Sequence, residues 1–226
     1  LVANVSHELK TPLSLVRMFG EMLYTGRVES EEKRRQYLQI VVSESERLGG
    51  LIENVLDFAR VERGKAAFDF KRADLMPSVV RAVELSRARA EYEKIAIETH
   101  LPEQAPRVDI DERSIEVALL NLLDNAVKYA GKGGHIDVSL DRKGNYLRVC
   151  VSDHGPGIAA EDRRRIFERF VRGKQSGSTR GSGIGLALVR QIAVVHGGDA
   201  WVEPNEPQGA RFVFTIPVAK GAEKTV

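Results

Sequence analysis

Apolar residues recur at Val2, Val5, Leu9, Pro12, Val16, Phe19 and Leu23 in steps that alternate three and four. This heptad seam commits the start of the chain to a helix that packs along its length. His7 falls two residues off the seam on either side, so the helix is expected to point it away from its own core. Thr11 lies one turn further along on the same side, and Glu8 is adjacent. Pro12 lacks an N–H and releases the carbonyl of Glu8, which predicts a bend just past His7. An imidazole beside an acid, one turn from a hydroxyl, is a surface suited to chemistry.

The helix is expected to stop at Thr25-Gly26. Ser30 followed by Glu31 and Glu32 reads as an N-cap with acids in the first turn. A second seam follows at Leu38, Val41, Ser45, Leu48, Ile52, Val55 and Ala59, widened by Tyr37, Leu51, Leu56 and Phe58. One partner helix cannot cover so broad a face, and a hairpin of this size buries too little alone. A homodimer through residues 1–62, forming a four-helix bundle, solves both problems. Residues 63–73 read as a linker and 221–226 as a tail.

From Leu75 the pattern turns to mixed α and β, giving an expected α+β chain whose second domain spans 74–220. Residues 75–92 read as a helix, Ile95–Thr99 and Val108–Ile110 as short strands, and Asp111 as the cap of an amphipathic helix to about Ala130. Ile136, Val138 and Leu140 alternate, as do Leu147, Val149 and Val151 across a turn at residues 141–145. That is a hairpin with one buried face. Residues 161–170 suit a short helix and 172–183 a mobile loop. Another helix is expected over 184–196, with strands near Trp201 and from Arg211 to Pro217.

The formal charge is +2 over 226 residues, so the net balance points to no nucleic-acid partner. The basic runs at residues 33–35 and 163–165 sit beside acids, as solvated helix faces do. Cys150 is the one cysteine, which rules out an internal disulfide and fits a reducing compartment. Its apolar surroundings suggest an inert thiol. The sequence carries no apolar run of transmembrane length. Its opening inside a periodic segment suggests a fragment whose upstream sensor or transmembrane segment is absent.

Three groups in the second domain carry chemistry. Asn121, Asn125 and Lys128 fall within about 60° of one another around a helix. Amide oxygens there can ligate a hard cation such as Mg²⁺, and the lysine can neutralise phosphate; an exposed polar face is the alternative. Asp153-His154-Gly155-Pro156-Gly157-Ile158 follows a buried strand. Its carboxylate could accept a bond from an exocyclic amine, with glycines admitting a ligand against the backbone; a plain turn is the alternative. Gly181-Ser182-Gly183-Ile184-Gly185-Leu186 leads into a helix whose N-terminus could hold phosphate. Leu186 stands where a dinucleotide fingerprint needs glycine, and no P-loop signature occurs.

These motifs, in this order and spacing, resemble the catalytic core of a sensor histidine kinase of two-component signalling. Residues 7–12 are similar to that family's H-box, 121–129 to its N-box, 153–158 to its G1 box, 166–170 to its F-box and 181–186 to its G2 box. The departures are Lys10, where arginine is commoner, and His154, where asparagine is. The resemblance implies a dimerisation and phosphoacceptor hairpin followed by an α/β sandwich of the Bergerat type that binds ATP and Mg²⁺. By motif position Asn125 would hold Mg²⁺, Asp153 read the adenine amine, Tyr129 pack on the base and Lys128 face the phosphates. Asn121, Gly155, Gly157, Ile158, Gly181, Gly183, Gly185 and Leu186 complete the implied nucleotide site. Arg172 would reach the γ-phosphate, and residues 171–183 would form a lid. His7 would be phosphorylated, Glu8 would take its second ring proton, and Thr11 would orient water for dephosphorylating a response regulator.

Related ATPases of the gyrase, mismatch-repair and heat-shock chaperone type carry a water-activating glutamate four residues before the metal-binding asparagine. That position is Asn121 here, which cannot act as a base. The γ-phosphoryl group is therefore expected to go to His7 and then to an aspartate of a response regulator receiver domain. A GHKL-type ATPase and a decayed dimeric scaffold are the competing readings. The resemblance further implies a cytoplasmic domain of a membrane-anchored sensor.

Overall fold

The computed structural model describes residues 2–62, 68–131, 134–169, 171 and 183–218, with the side chains of residues 2–5, 7, 8 and 62 left outside that description. The chain packs as two compact units, Leu1–Asp57 and Phe58–Val226.

The first unit is a helical hairpin. Helix α1, Val2–Tyr24, continues through Pro12. It ends as a Schellman motif: Arg27 N–H donates to Met22 O (3.2 Å), Gly26 N–H donates to Leu23 O (3.2 Å), and Gly26 takes φ +67°. Helix α2, Glu31–Glu62, starts where Ser30 Oγ accepts from Lys33 N–H at 3.4 Å. Phe19 and Tyr37 join the two helices with ring centroids 4.7 Å apart. Burial divides the broad face of α2 into two stripes. Tyr37, Val41, Glu44, Leu48, Leu51 and Val55 are buried or half-buried, whereas Leu38, Val42, Ser45, Ile52 and Leu56 are exposed. Both stripes keep heptad spacing, so the single expected seam is two adjacent ones.

The second unit is a layer of helices on a mixed sheet. Strands β2 (Ala96–His100), β4 (His135–Lys143), β5 (Tyr146–Asp153), β6 (Ala200–Pro204) and β7 (Ala210–Pro217) form the five-stranded sheet in the order β2-β4-β5-β7-β6. Only β2 and β4 pair in parallel. Helices α3 (Met76–Tyr92), α4 (Glu112–Tyr129) and α5 (Gly185–Val195) contribute the other side of the core. Strand β4 buries Ile136, Val138 and Leu140 and turns the residues between them outward. Ile115, Leu119, Leu122 and Leu123 of α4 are at most 2% exposed, and each contributes about 1.5–3 kcal/mol of apolar burial. Asp111 caps α4 as expected, its Oδ1 accepting from Ser114 N–H at 2.9 Å.

Three local expectations change. Lys71–Ala73, read as linker, form strand β1 and pair antiparallel with β3, Val108–Ile110, as a separate ribbon. Of the segment 161–170, the described residues 161–169 do not make an α-helix: turns lead into a three-residue 3₁₀ segment, Arg165–Phe167, whose Ile166 and Phe167 are buried. So short a stretch gains little from helical propagation, and insertion of two apolar anchors decides its shape. The hairpin turn is only Gly144-Asn145, because the β4–β5 ladder extends to Lys143 and Tyr146.

Candidate functional site

Helix α4 is the element on which the three chemical motifs meet. Asn121 is half-buried and donates from Nδ2 to Val117 O at 2.9 Å. Its Oδ1 lies against Gly185, the first residue of α5, where a Cβ would stand 2.5 Å from that oxygen. Only glycine allows so close an approach. Two turns along α4, the carbonyl of Tyr129 lies against Gly155, where a Cβ would collide with it. Asn125 and Lys128 are half-buried between and beside these contacts, and Lys128 Nζ stands 5.1 Å from the Tyr129 ring centroid.

Asp153 ends β5 and is 2% exposed. Its Oδ1 accepts from the N–H of Gly155 (2.9 Å) and of Ala210 (3.3 Å), and no described residue donates to Oδ2. Burial pushes its carboxyl upward from the usual carboxylate range, against the lowering effect of those two N–H groups. A carboxylate held by one oxygen, with its charge poorly solvated, is suited to accept a donor from a ligand. Gly157 follows with φ +76°, and Ile158 packs on the core.

Leu186 also packs on the core, and Gly183 has φ +66°. Arg172 and Gly181 lie outside the described residues, as does the expected lid apart from Val171 and Gly183. In the first unit, α1 carries His7, Glu8 and Thr11; Thr11 is exposed. Cys150 is buried and its thiol pushed up by that burial, as an inert thiol should be.

Two supporting residues escaped the sequence reading. Asn205 donates from Nδ2 to the backbone carbonyl of Asp153 at 2.9 Å, and Gly209 lies so close to that carbonyl that no Cβ fits. Both sit some fifty residues beyond Asp153 (|i−j| is 52 for Asn205), and only the β5–β7 pairing joins them. The glycine immediately before the final strand was the one available signal. Arg169, next to the buried Ile166-Phe167 pair, places its guanidinium 4.3 Å over the Phe58 ring.

Residues 110–220 match the family model described as histidine kinase-, DNA gyrase B-, and HSP90-like ATPase, and residues 1–64 match the His Kinase A (phospho-acceptor) domain. The chain is 34% identical over 218 residues to the sensor-like histidine kinase SenX3 of Mycobacterium tuberculosis, covering 96% of this chain and 53% of that protein. It thus spans about half the length of the first curated relatives it matches. The solved mycobacterial sensor histidine kinase MprB is 32% identical with a TM-score of 0.58, over 66% of this chain and 97% of that one. Full-length ShkA, solved in complex with AMPPNP, is 31% identical with a TM-score of 0.69, over 95% of this chain and 45% of that one. With a phospho-acceptor domain ahead of an ATPase-type domain, and with relatives of this identity along both, the chain belongs to the histidine kinase family.

Proposed function

We propose that the chain is the catalytic core of a sensor histidine kinase, transferring the γ-phosphoryl group of ATP to His7 and then to an aspartate of a response regulator receiver domain. The observation that carries this reading is the convergence on α4. Asn121 meets Gly185 and Tyr129 meets Gly155, so the polar face bearing Asn125 and Lys128 lies between two glycine-lined approaches. In ShkA the same family takes up AMPPNP.

The side-chain chemistry of this chain fits the roles. Asp153 Oδ2 accepts from the base amine, while Gly155, Gly157 and Ile158 let the base approach and Tyr129 packs on it. Lys128, Gly183 and Gly185, with Leu186 anchoring the helix behind them, serve the phosphates, and motif position assigns Gly181 to the same task and Arg172 to the terminal phosphate. Asn125 offers the oxygen donor that a hard cation takes, and Mg²⁺ there would neutralise phosphate charge. Asn121 spends its amide on Val117 O and on the contact with Gly185. It is thereby a structural group where an ATPase would keep a base. Without an activated water, transfer depends on positioning a nucleophile. The His7 imidazole is that nucleophile, and Glu8 takes the proton from its other nitrogen.

The working unit is a homodimer through residues 1–62, supported by the exposed heptad stripe on α2 and the match to the phospho-acceptor domain. The relatives are named as sensor kinases, and the chain is read as the cytoplasmic core of a membrane-anchored sensor. No helix among the described residues is long and apolar enough to cross a membrane. Labelled ATP supplied to wild type and His7→Gln tests the reading. Acid-labile label is expected in wild type alone, and equal label in both would end it. Thr11→Ala should keep that label within a few-fold and slow decay of the phosphorylated regulator about 10²-fold. Unchanged decay would remove Thr11 from the phosphatase step.

A further inference from the structure

The parallel pairing of β2 with β4 sets Glu98 directly opposite Asp137, with Ala96 opposite His135 and His100 opposite Ser139. Strand period places residues 98, 100, 135 and 137 on one face, away from Ile136 and Val138. Two carboxylates facing each other across neighbouring strands repel. Here two imidazoles crowd the same space. His135 Nε2 lies 3.1 Å and His100 Nε2 3.2 Å from a single oxygen, Asp137 Oδ1. The Glu98 carboxylate stands 3.6 Å from His135 Nε2 and 3.8 Å from His100 Nε2, too far for a hydrogen bond to either. Ligand atoms held at about 2.0–2.2 Å around a tetrahedral zinc stand about 3.3 Å apart. The His135–Asp137 and His135–Glu98 separations, 3.1 and 3.6 Å, bracket that value. Glu98, His135 and Asp137 offer three converging ligand atoms, and they form the one such group among the described residues.

We propose that Glu98, His135 and Asp137 bind one divalent transition cation of the zinc class, with His100 orienting Asp137 from the neighbouring strand. The donor set selects the ion class. Imidazole nitrogen with carboxylate oxygen suits zinc, whereas magnesium favours an all-oxygen octahedron. Two carboxylates balance the charge of the cation. Binding leaves the His135 proton on Nδ1, so the Nε2 lone pair meets the metal. The site adjoins the turn that follows Asp153, because His154 Nδ1 lies 3.1 Å from His135 O. It uses none of the residues assigned to ATP and stands or falls independently of that assignment.

All four side chains are 31–60% exposed, so their replacement leaves the core intact. Calorimetric titration of the chain with Zn²⁺, in excess Mg²⁺, is the test. Wild type should bind one Zn²⁺ per chain; His135→Gln and Asp137→Asn should abolish that binding. His100→Gln should weaken it about 10–100-fold, as loss of an orienting partner does. Wild type that takes up no Zn²⁺, or variants at 135 and 137 that bind it as wild type does, would overturn the site.

Discussion

Arg60, in the last turn of α2, sets Nη2 2.9 Å from Oδ2 of Asp111, the residue that caps α4. The same Oδ2 accepts from Asp69 N–H at 2.7 Å, and the backbone N–H of Asp111 donates to His196 Nε2 at 3.1 Å. His196 must therefore be the neutral tautomer that carries its proton on Nδ1, toward Ile192 O at 2.8 Å. The end of α2, the segment after it, the start of α4 and the end of α5 thus share one carboxylate-centred cluster. Phe68, its ring nearly perpendicular to that of His196, and Phe70 beside it close the cluster against His196.

Asp111 is 2% exposed, so its removal takes one carboxylate away from Arg60, Asp69 N–H and Ser114 N–H together and uncaps α4. Asp111→Ala should destabilise the second unit by about 3–5 kcal/mol. Arg60→Ala should cost less, because the backbone donors remain on the carboxylate. Burial acts to raise the Asp111 pKa, but the Ser114 and Asp69 N–H groups and Arg60 outweigh it, and the folded value lies below the ordinary one. The stabilisation is therefore full above the ordinary carboxylate range and is lost as pH falls through the lower folded value. Urea unfolding of wild type and Asp111→Ala across acidic pH should show the gap between them narrowing on acidification. A gap independent of pH would refute the charge argument.

Gly185→Ala pushes a methyl group against Asn121 Oδ1. Overpacking of this kind costs about 1–3 kcal/mol. The double variant with Asn121→Ala should recover most of that loss, since the obstructing amide is gone. Thermal unfolding of both variants checks the coupling, and additive losses would place the strain elsewhere.

Asp153→Asn keeps an acceptor oxygen for Gly155 and Ala210 but removes the charge. Losing a charged hydrogen bond costs about 1.5–3 kcal/mol, so affinity for a non-hydrolysable ATP analogue should fall by about 10–100-fold while the fold persists. Asn125→Asp, one turn from Asn121 on α4, should impair the same binding. Calorimetry with the analogue, alongside circular dichroism for folding, separates binding from stability. Wild-type affinity in both variants would move the nucleotide elsewhere.

The outer stripe on α2 predicts where the hairpin meets its second copy. Leu38 is 53% and Ile52 45% exposed, so Leu38→Glu with Ile52→Glu should dissociate the dimer and leave the second unit folded. Leu51, 6% exposed on the inner stripe, should behave differently. Leu51→Ala should cost about 2–5 kcal/mol of hairpin stability. Sedimentation velocity reads the first effect and unfolding the second.

The elements that declare themselves in sequence are those whose physics is local. The Ser30 and Asp111 caps, the Gly26 stop and the alternation of β4 and β5 each need only a few adjacent residues. The motif residues on α4 are legible as a face because helical geometry fixes their angles. What escaped depends on partners far along the chain. Lys71–Ala73 become a strand only because Val108–Ile110 lie beside them. Glu98 meets Asp137 only through a parallel pairing that no turn announces. Division of the α2 face into two stripes was equally hidden. Leu38 and Val41 are both apolar, and only the packing of α1 distinguishes them.

Helix α4 makes its two glycine contacts through Asn121 and Tyr129, eight residues apart on one unbroken helix, which spans about 12 Å at 1.5 Å per residue. That span is set by the repeat of the hydrogen-bonded helix and not by the balance of weak forces in a loop. Neither approach can drift toward the other unless helical hydrogen bonds break. The polar face between them therefore works as a fixed gauge, and accommodation of ligands of different length falls to the segments at either end.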